Sequence, residues 1–416
     1  MREIRQLNEE HIDAYTDIAF NAYPSFKNLE KDAVEKYKKI AVEIMTNDPD
    51  VTFYGMFEGE KLIAVMRLFD FRMNCFGKIL PVSGIGFLGV HLMHKKEKCA
   101  KAMIEFYEEI YKKKGIPIGM LLPFRPDFYK KMGYGMGTKM NQYRLPPDRI
   151  PAYFGKSDLR YVEKEDFDKL FDCHSRVVAK KHGMIMKIGD EIRDLKNDPY
   201  NKVIGNYDEK GNINGYLVFK FQNAKDGNYT INNIYIKELI YENIDVLKKL
   251  LGFLRKQDDQ VNLVVFNTED ENFHYLFDNP LNDSLNYIPY GYIESNTQAV
   301  GAMYKLFDIK QAFEQCSHRN YNNSNLKVRF LVYDELNNKE IEIVVNFIDG
   351  IVNTDSEKFD VTMRTNMANF SSLFLGSTSV IGMYNLGLLE LDNVEFLEDI
   401  DRTFYCSQKP VCYTDF

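Results

Sequence analysis

The chain has 416 residues, too many for one hydrophobic core, so two or three domains of roughly 100–200 residues are expected. Hydrophobic residues make up 45% and charged residues 27% of the chain, which excludes a disordered or fibrous protein. Its 53 basic and 61 acidic residues leave a net charge of −8, which disfavours a nucleic-acid-binding surface.

The sequence also bears on location and on metal binding. No apolar run approaches the ~18 residues that cross a bilayer, and the first segment, MREIRQLNEEHIDAY, is too charged for a signal peptide. The six cysteines lie far apart and lack the spacing of a zinc site or a disulfide framework. We therefore expect a cytoplasmic protein with no metal, no membrane contact and no nucleic-acid partner.

Strand and helix patterns alternate through the first 150 residues. A polar turn, Glu58-Gly59-Glu60, separates two apolar runs and predicts a β-hairpin. Residues 97–112 carry apolar side chains at the spacing of one face of an amphipathic helix. The predicted strands are 51–57, 61–69, 85–92 and 117–122. This order of three strands, a helix and a strand predicts an α/β or α+β domain.

The same order of elements recurs after a break at 146–157, where three prolines stand among polar residues. A helix is predicted at 165–182 and another at 242–256. The predicted strands of this part are 202–206, 213–220, 229–240 and 261–266. The recurrence indicates a duplicated fold without evident sequence repetition.

The last ~115 residues follow a different pattern. Alternating strands are predicted at 326–333 and 340–348, with further short strands around 350–364. The predicted helices are 305–314, 367–376 and 393–401. This pattern predicts a sheet covered by helices.

A basic stretch, MHKKEKCAKAM, joins the strand at 85–92 to the following helix. Helix N-termini expose unpaired amides and a partial positive charge, which attract phosphate. Lys95, Lys96 and Lys98 add cations at the end of the helix where the dipole disfavours them. The cluster indicates an anion site, and a solvated charge run remains the alternative.

A second stretch, FRPDFYKKMGYGMG, combines tyrosines with glycines that permit tight turns. Tyr129 follows a proline-rich turn in it, and a tyrosine held close to a thiolate can donate a proton to it. Most tyrosines have a packing role instead, so both interpretations stay open on this stretch alone.

Together, VHLMHKKEKCAKAM and FYKKMGYG resemble the GNAT-fold N-acetyltransferases. With the C-terminal stretches MYKLFDIKQAF, FSSLFLG and FYCSQKPVCYTDF, nearly the whole chain resembles the Eis (enhanced intracellular survival) branch of that superfamily. The resemblance implies an α/β (α+β) fold with two tandem GNAT-like mixed sheets and flanking helices. These domains, 1–148 and 149–296, would precede a sterol-carrier-protein-like α+β domain at 297–416.

The resemblance also implies roles for individual residues. Tyr129 would protonate the departing CoA thiolate, and the terminal carboxylate of Phe416 would act as the general base. The backbone of Leu88, Gly89 and Val90 would bind the pantetheine arm of acetyl-CoA. The pyrophosphate would lie on the loop formed by Lys95, Lys96, Glu97, Lys98, Cys99, Ala100 and Lys101. One position departs from the family, because Lys98 stands where the family loop has glycine.

The resemblance implies an acetyl-CoA-dependent N-acetyltransferase that acts directly on primary amines of a small cationic or lysine-bearing substrate. We expect the second domain to bind no acetyl-CoA, and we expect a homo-oligomer, in line with the hexamers of the family. The alternative is a non-catalytic protein that binds CoA or an apolar ligand.

Overall fold

The computed structural model describes residues 2–23, 31–153, 155, 157–282, 284 and 286–416. Its first elements alternate between sheet and helix, as predicted. Strands in this part are β1 (Arg2–Gln6), β2 (Val51–Glu58), β3 (Lys61–Cys75), β4 (Lys78–Val90), β5 (Ile118–Leu121), β6 (Gly135–Met136) and β7 (Met140–Leu145). Helices in this part are α1 (Ile12–Ala22), α2 (Lys31–Asn47), α3 (Cys99–Lys113) and α4 (Pro126–Lys130).

The middle of the chain repeats this alternation. Its strands are β8 (Leu159–Tyr161), β9 (Lys202–Tyr207), β10 (Ile213–Lys225), β11 (Asn228–Tyr241), β12 (Val261–Thr268), β13 (Tyr287–Ile288), β14 (Tyr292–Ile293) and β15 (Thr297–Ala299). Its helices are α5 (Phe167–Val178), α6 (Gly189–Asn197) and α7 (Ile244–Arg255).

The last part of the chain forms a third sheet with helices. Its strands are β16 (Met303–Leu306), β17 (Leu326–Asp334), β18 (Lys339–Ile348), β19 (Ile351–Asn353), β20 (Val361–Asn366) and β21 (Leu389–Leu391). Its helices are α8 (Ile309–Gln315), α9 (Met367–Phe374), α10 (Val380–Asn385) and α11 (Leu397–Phe404).

Two mixed sheets of similar construction dominate the fold. The first has the strand order β1-β2-β3-β4-β5-β16-β6, and the second has the order β15-β7-β12-β11-β10-β9-β8. In each, one parallel pair is joined by a crossover helix: β4 and β5 by α3, and β11 and β12 by α7. The predicted α/β class with two tandem sheets and flanking helices is confirmed.

Three strands cross the expected domain boundaries; one of them, β15, lies within 297–416 and pairs with β7 in the second sheet. Strand β16 lies within 297–416 but pairs with β5 and β6 in the first sheet. Strand β7 lies within 1–148 but pairs with β12 in the second sheet. Because each strand takes its hydrogen-bond partners from a neighbouring segment, the sheets are tied together along the chain.

The helix predicted at 305–314 begins later than expected. Residues 303–306 form a strand, and α8 starts only after Asp308, whose side chain accepts a hydrogen bond from the Gln311 N–H at 2.9 Å. The prediction of helix at 305–308 was therefore wrong. The strand is favoured because its backbone completes the ladder beside β5, and Asp308 supplies the N-cap.

Aromatic side chains pack the centre of the C-terminal domain. Seven rings contact one another between the third sheet and its helices: Phe313, Tyr321, Phe330, Phe347, Phe370, Phe374 and Phe404. Edge-to-face contacts of this kind stabilise a core beyond the effect of burying apolar surface alone.

Among the helices that the structure describes, none is long and apolar enough to cross a membrane.

Candidate active site

Strands β4 and β5 separate just before the basic loop. They pair in parallel at Ser83 and Gly84, and the described residues that follow in β4 have no partner in β5. Beyond Gly84 the edge of β4 that faces away from β3 is therefore not covered by β5, and the Leu88 carbonyl accepts a hydrogen bond from the Tyr23 hydroxyl at 3.5 Å. Such an edge can bind a ligand through backbone hydrogen bonds.

A bulge bends β4 at the same point. The register between β3 and β4 shifts after Val65, and Phe87 has a φ of +48°. An irregularity of this kind tilts the strand and changes the direction of its side chains. As a result, Leu88 and Val90 border an open cavity between β4 and α4.

This cavity, which we call the basic cavity, has a volume of about 850 Å³. It brings together most of the cofactor residues expected from the sequence: Leu88, Val90, Lys95, Lys96, Lys98, Cys99, Ala100 and Lys101. Residues that the sequence analysis did not single out complete the wall: Ala22, Tyr23, His94, Phe124, Arg125, Phe128 and Met132. One end of the cavity is thus cationic and the rest is mainly apolar.

Helix α3 begins at the cationic end without a side-chain cap. Lys98 occupies the N-cap position with φ +63° and ψ 14°, and its side chain makes no capping hydrogen bond. The amides of Cys99, Ala100 and Lys101 in the first turn therefore have no acceptor within the helix. Exposed amides, the helix dipole and nearby lysines together suit an anion such as a pyrophosphate.

The family glycine at position 98 is thus replaced by a residue with the backbone conformation of glycine. Left-handed conformations cost a residue with a Cβ roughly 1 kcal/mol. Lys96, with φ +67°, shares the same strain. Strained residues of this kind concentrate at binding and catalytic sites.

Two residues expected to contact the cofactor, Glu97 and Gly89, are not among those that line the basic cavity. The carboxylate of Glu97 binds Arg2 and lies 3.2 Å from Nδ1 of His94, and these contacts lower its pKa. A Cβ on Gly89 would point towards α1, 3.2 Å from the Cβ of Ala22, so only the peptide groups of Gly89 remain for a ligand. The charge of Glu97 is compensated by neighbours and does not oppose an anion in the loop.

Cys99 and Tyr129 are both buried beside the basic cavity. Burial raises the pKa of the Cys99 thiol, although Arg2 opposes the shift, so a reactive thiolate is disfavoured. Tyr129 is 4% exposed, and its ring contacts those of Phe124 (5.9 Å between centroids) and Phe128 (5.2 Å). Burial raises the pKa of Tyr129, so its hydroxyl keeps its proton at neutral pH.

The C-terminal tail, residues 405–416, returns from the third sheet to the first two. Thr138 Oγ1 donates to the Pro410 carbonyl at 2.5 Å, and the Val411 N–H donates to the His182 carbonyl at 2.9 Å. Gly183 beside it has φ +87°, and a Cβ there would lie 2.4 Å from the Val411 nitrogen. The tail is therefore closely fitted between the domains.

The tail ends on the bent segment of β4. The ring of Phe416 contacts Phe69 (5.5 Å between centroids) and Phe71 (4.8 Å). A Cβ on Gly86 would lie 3.1 Å from the terminal carboxyl carbon. The apolar ring thus anchors the chain end while the carboxyl group lies against β4, two residues before Leu88.

A second cavity, which we call the acidic cavity, lies between the first two sheets and the tail and measures about 620 Å³. Six carboxyl groups line it: Asp190, Glu191, Asp194, Glu238, Glu269 and Asp415. Lys237 also lines it. The surplus of carboxyl groups favours a cationic ligand.

The corresponding helix of the second domain begins differently from α3. The side chain of Asn243, at the N-cap of α7, accepts a hydrogen bond from the Val246 N–H at 3.1 Å. The preceding Glu242 binds Arg176 at 2.7 Å. This helix end is capped by the chain itself and has a carboxylate beside it, so it suits an anion less well than α3 does.

Comparisons with known proteins agree with this architecture. Residues 3–137 match a family model described as an acetyltransferase (GNAT) domain, and residues 188–293 match a second model with the same description. An uncharacterized N-acetyltransferase of Streptomyces avermitilis is 24% identical over 181 residues, which cover 40% of this chain and 44% of that protein. The match therefore spans less than half the length of that curated relative.

Solved structures share the fold over the full length. GCN5-related N-acetyltransferases from Anabaena variabilis and Kribbella flavida superimpose with TM-scores of 0.81 and 0.76, at 16% and 17% identity. Eis1 from Mycobacterium abscessus gives a TM-score of 0.76 at 16% identity. Each match covers 100% of both chains. The chain thus contains two tandem domains that match models of GNAT acetyltransferase domains, over residues 3–137 and 188–293.

Proposed function

We propose that the protein is an acetyl-CoA-dependent N-acetyltransferase that acts directly on primary amines of a small cationic or lysine-bearing substrate. The observation that carries this proposal is the position of the Phe416 carboxyl group against Gly86. This carboxyl group lies against β4, the strand that borders the basic cavity. The preceding residue, Asp415, lines the acidic cavity. This position supports the terminal carboxylate as a general base between the proposed cofactor site and the proposed substrate site.

The residues of the basic cavity fit acetyl-CoA, which would supply an acetyl thioester as the acyl donor. The uncapped first turn of α3, with Lys95, Lys96 and Lys98, would hold the pyrophosphate. Peptide groups of Leu88, Gly89 and Val90 on the open edge of β4 would bind the pantetheine arm. The capped helix α7 supports the proposal that the second domain binds no acetyl-CoA.

The terminal carboxylate would act as the base. A primary amine has a pKa of about 10.4 and is mostly protonated at neutral pH, so it must lose a proton before it attacks the thioester. Phe416 would accept that proton directly or through one water. Free amides on the edge of β4 would donate hydrogen bonds to the thioester oxygen as it gains negative charge.

Tyr129 would act as the general acid. A phenol is protonated at neutral pH, and burial raises the pKa of Tyr129 further, so the proton would move only as the carbon–sulfur bond breaks and negative charge develops on the sulfur. Its neighbours Phe124 and Phe128 line the basic cavity and would cover this side of the sulfur with apolar rings. A water-poor site strengthens the hydrogen bond to a developing thiolate.

Each of the three segments of the chain would have a separate role in the reaction. Residues 1–148 would carry catalysis, residues 149–296 would shape the acidic cavity, and residues 297–416 would form a sterol-carrier-protein-like domain that supplies the terminal carboxylate. The five-stranded third sheet with its helices supports the last assignment. We also propose a cytoplasmic homo-oligomer, supported by the exposed aromatic residues of the β13–β14 hairpin, including Tyr290 at 97% exposure.

Acetyl transfer can be tested with acetyl-CoA and a panel of alkyl monoamines, diamines, polyamines and lysine-bearing peptides. Thiol release and mass spectrometry of the amine report the reaction. We expect release to depend on the amine and the acetylated amine to accumulate. Binding of acetyl-CoA without any acetylated product would instead support the non-catalytic alternative.

Removal of the loop lysines is expected to weaken cofactor binding. Lys95→Ala combined with Lys96→Ala should raise the acetyl-CoA dissociation constant tenfold or more, about 1.4 kcal/mol, because two cations leave the pyrophosphate site. Calorimetry at low and high salt measures this, and the difference should shrink at high salt. Lys113→Ala, which removes an exposed lysine at the far end of α3, is the control. Unchanged affinity in the double variant would reject this placement.

Substitution of Lys98 separates backbone strain from charge. Lys98→Gly removes the left-handed strain and should raise the free energy of unfolding by roughly 1 kcal/mol, whereas Lys98→Ala keeps the Cβ and should not. Both variants lose the same charge, so tighter acetyl-CoA binding by the glycine variant reports the backbone alone. Denaturant unfolding and calorimetry measure the two effects. Equal stability of the two variants would contradict the strained conformation.

A further inference from the structure

Glu97 stands between two lysines whose backbone is left-handed. Lys96 has a φ of +67° and Lys98 a φ of +63°. Residues with a Cβ seldom adopt this conformation, and it persists only where surrounding contacts maintain it. The side chain of Lys98, at the N-cap of α3, makes no capping hydrogen bond. Contacts from outside this short loop must therefore maintain its shape.

These contacts come from Arg2 in β1, which lies 95 residues before Glu97 in the chain. Nη1 of Arg2 donates a hydrogen bond to the main-chain carbonyl of Glu97 at 3.2 Å, and Nη2 binds Oε2 of the Glu97 carboxylate. Nε of the same guanidinium donates to Oε1 of Glu58 at 3.1 Å. Arg2 and Glu58 are paired residues of β1 and β2. The loop is thus attached to the edge of the first sheet through both the main chain and the side chain of Glu97.

His94 contacts the same carboxylate from within the loop. Its Nδ1 lies 3.2 Å from Oε2 of Glu97. The contacts with His94 and Arg2 lower the pKa of the Glu97 carboxyl group, so it stays ionised at neutral pH. A single exposed ion pair contributes little to stability, but here one guanidinium binds the carboxylate and the adjoining carbonyl together. We call Arg2, His94 and Glu97 the loop clasp.

We infer that the loop clasp holds the loop in the conformation that binds the CoA pyrophosphate, and that Glu97 is a positioning residue that strengthens this binding despite its negative charge; this inference rests on the proposed function. The loop leads directly into the uncapped first turn of α3, where the amides of Cys99 and Ala100 have no acceptor within the helix. If the loop is already held, a ligand does not have to order it on binding, and affinity rises accordingly.

Charge alone predicts a different effect of Glu97. A carboxylate near an anion site repels the anion, or has no effect where its neighbours neutralise it. On that basis Glu97→Gln would bind CoA equally or more tightly, Arg2→Gln would bind it less tightly, and the double variant would resemble wild-type protein. The loop clasp predicts that both single variants bind CoA less tightly, because either one releases the loop. The double variant should then be no weaker than the single variants, since no contact remains for the second change to remove.

Calorimetry of CoA binding to these proteins separates the two cases. We expect the dissociation constant to rise by about threefold or more in Arg2→Gln, in Glu97→Gln and in the double variant. Glu105→Gln is the matched control, because it removes the same charge from an exposed carboxylate of α3 that pairs with Lys101 at 3.5 Å. It should not weaken binding. Equal or tighter binding by Glu97→Gln, or wild-type affinity of the double variant, would overturn the inference.

The effect of Glu97→Gln should be confined to the cofactor. The KM for acetyl-CoA should rise with the dissociation constant, whereas kcat at saturating acetyl-CoA should equal that of wild-type protein. A general loss of structure would lower kcat and the free energy of unfolding as well. That combination would contradict a positioning role in the binding of the pyrophosphate.

Trypsin cleavage in the absence of CoA tests the loop clasp independently of the proposed function. Lys95, Lys96 and Lys98 are possible cleavage sites, and a loop that is held in place opens to a protease less often. Arg2→Gln leaves the loop sequence unchanged and should be cut there severalfold faster than wild-type protein, whereas Glu105→Gln should not. Equal cleavage of Arg2→Gln and wild-type protein would overturn the inference. If wild-type protein binds no CoA, the proposed function fails, and the cleavage rates still decide whether the clasp holds the loop.

Discussion

Extension of the chain beyond Phe416 is expected to abolish acetyl transfer without unfolding the protein. A peptide bond at Phe416 removes the terminal carboxylate, and the added residues have no space because Gly86 already lies against this carboxyl group. Loss of a general base typically lowers turnover by 10²- to 10⁴-fold. Steady-state turnover and circular dichroism of a protein with a short C-terminal tag measure the two parts of this prediction.

Phe416→Leu is the matched control, because it keeps the carboxylate and replaces only the ring that contacts Phe69 and Phe71. It should cost far less than the extension. Gly86→Ala tests the same contact from the other side, since its Cβ would lie 3.1 Å from the carboxyl carbon. This variant should lower kcat with little change in acetyl-CoA affinity. Normal turnover by the extended protein would exclude the terminal carboxylate as the base.

Tyr129→Phe is expected to lower kcat by about 10²-fold or more while acetyl-CoA binds as before. The phenylalanine ring keeps the contacts with Phe124 and Phe128, so only the proton donor is lost. A group that acts in the transition state affects kcat and kcat/KM together and leaves the binding of the donor unchanged. Stopped-flow or steady-state thiol release, combined with calorimetry of acetyl-CoA, measures both quantities.

Tyr134→Phe provides the comparison within the same stretch. The Tyr134 hydroxyl is buried and has no hydrogen-bond partner among the described residues, so its removal should leave kcat unchanged and should not destabilise the protein. If both variants lose turnover to the same extent, the effect at Tyr129 would reflect packing. Wild-type turnover by Tyr129→Phe would remove this residue from the mechanism.

Local patterns predicted the sheets well, because the alternation of apolar and polar residues in strands and the periodicity of helices can be recognised in consecutive residues. The order of elements around α3 and α7 was predicted in this way. Strand β16 was missed because the apolar residues of MYKL suit either element, and only pairing with the distant β5 decides between them. Long-range pairing leaves no signal in a short window.

In the candidate site, too, features formed by consecutive residues were predicted and contacts between distant residues were not. Lysines at the start of α3 were visible as a cluster at a helix end, but the pairing of Glu97 with Arg2, 95 residues earlier, was not. Tyr23, at the end of α1, and Arg125, in the stretch FRPDFYKKMGYGMG, were not predicted as site residues, because only the fold brings them to the same cavity. The individual carboxyl groups of the acidic cavity were not predicted, since α6 and the end of β12 contribute Asp190 and Glu269 from separate elements that meet only in the folded chain. The signal for Phe416 came from the aromatic chain end and the family resemblance.

A crystal structure with CoA bound tests the central claim most directly, because the claim is that the basic cavity, Tyr129 and Phe416 form one site. We predict the pyrophosphate on the first turn of α3 beside Lys95 and Lys96. The sulfur should lie within hydrogen-bond distance of Tyr129 Oη, roughly 3.5 Å, and on the side of β4 where the Phe416 carboxylate lies. CoA bound at α7, or a sulfur far from both groups, would contradict the account.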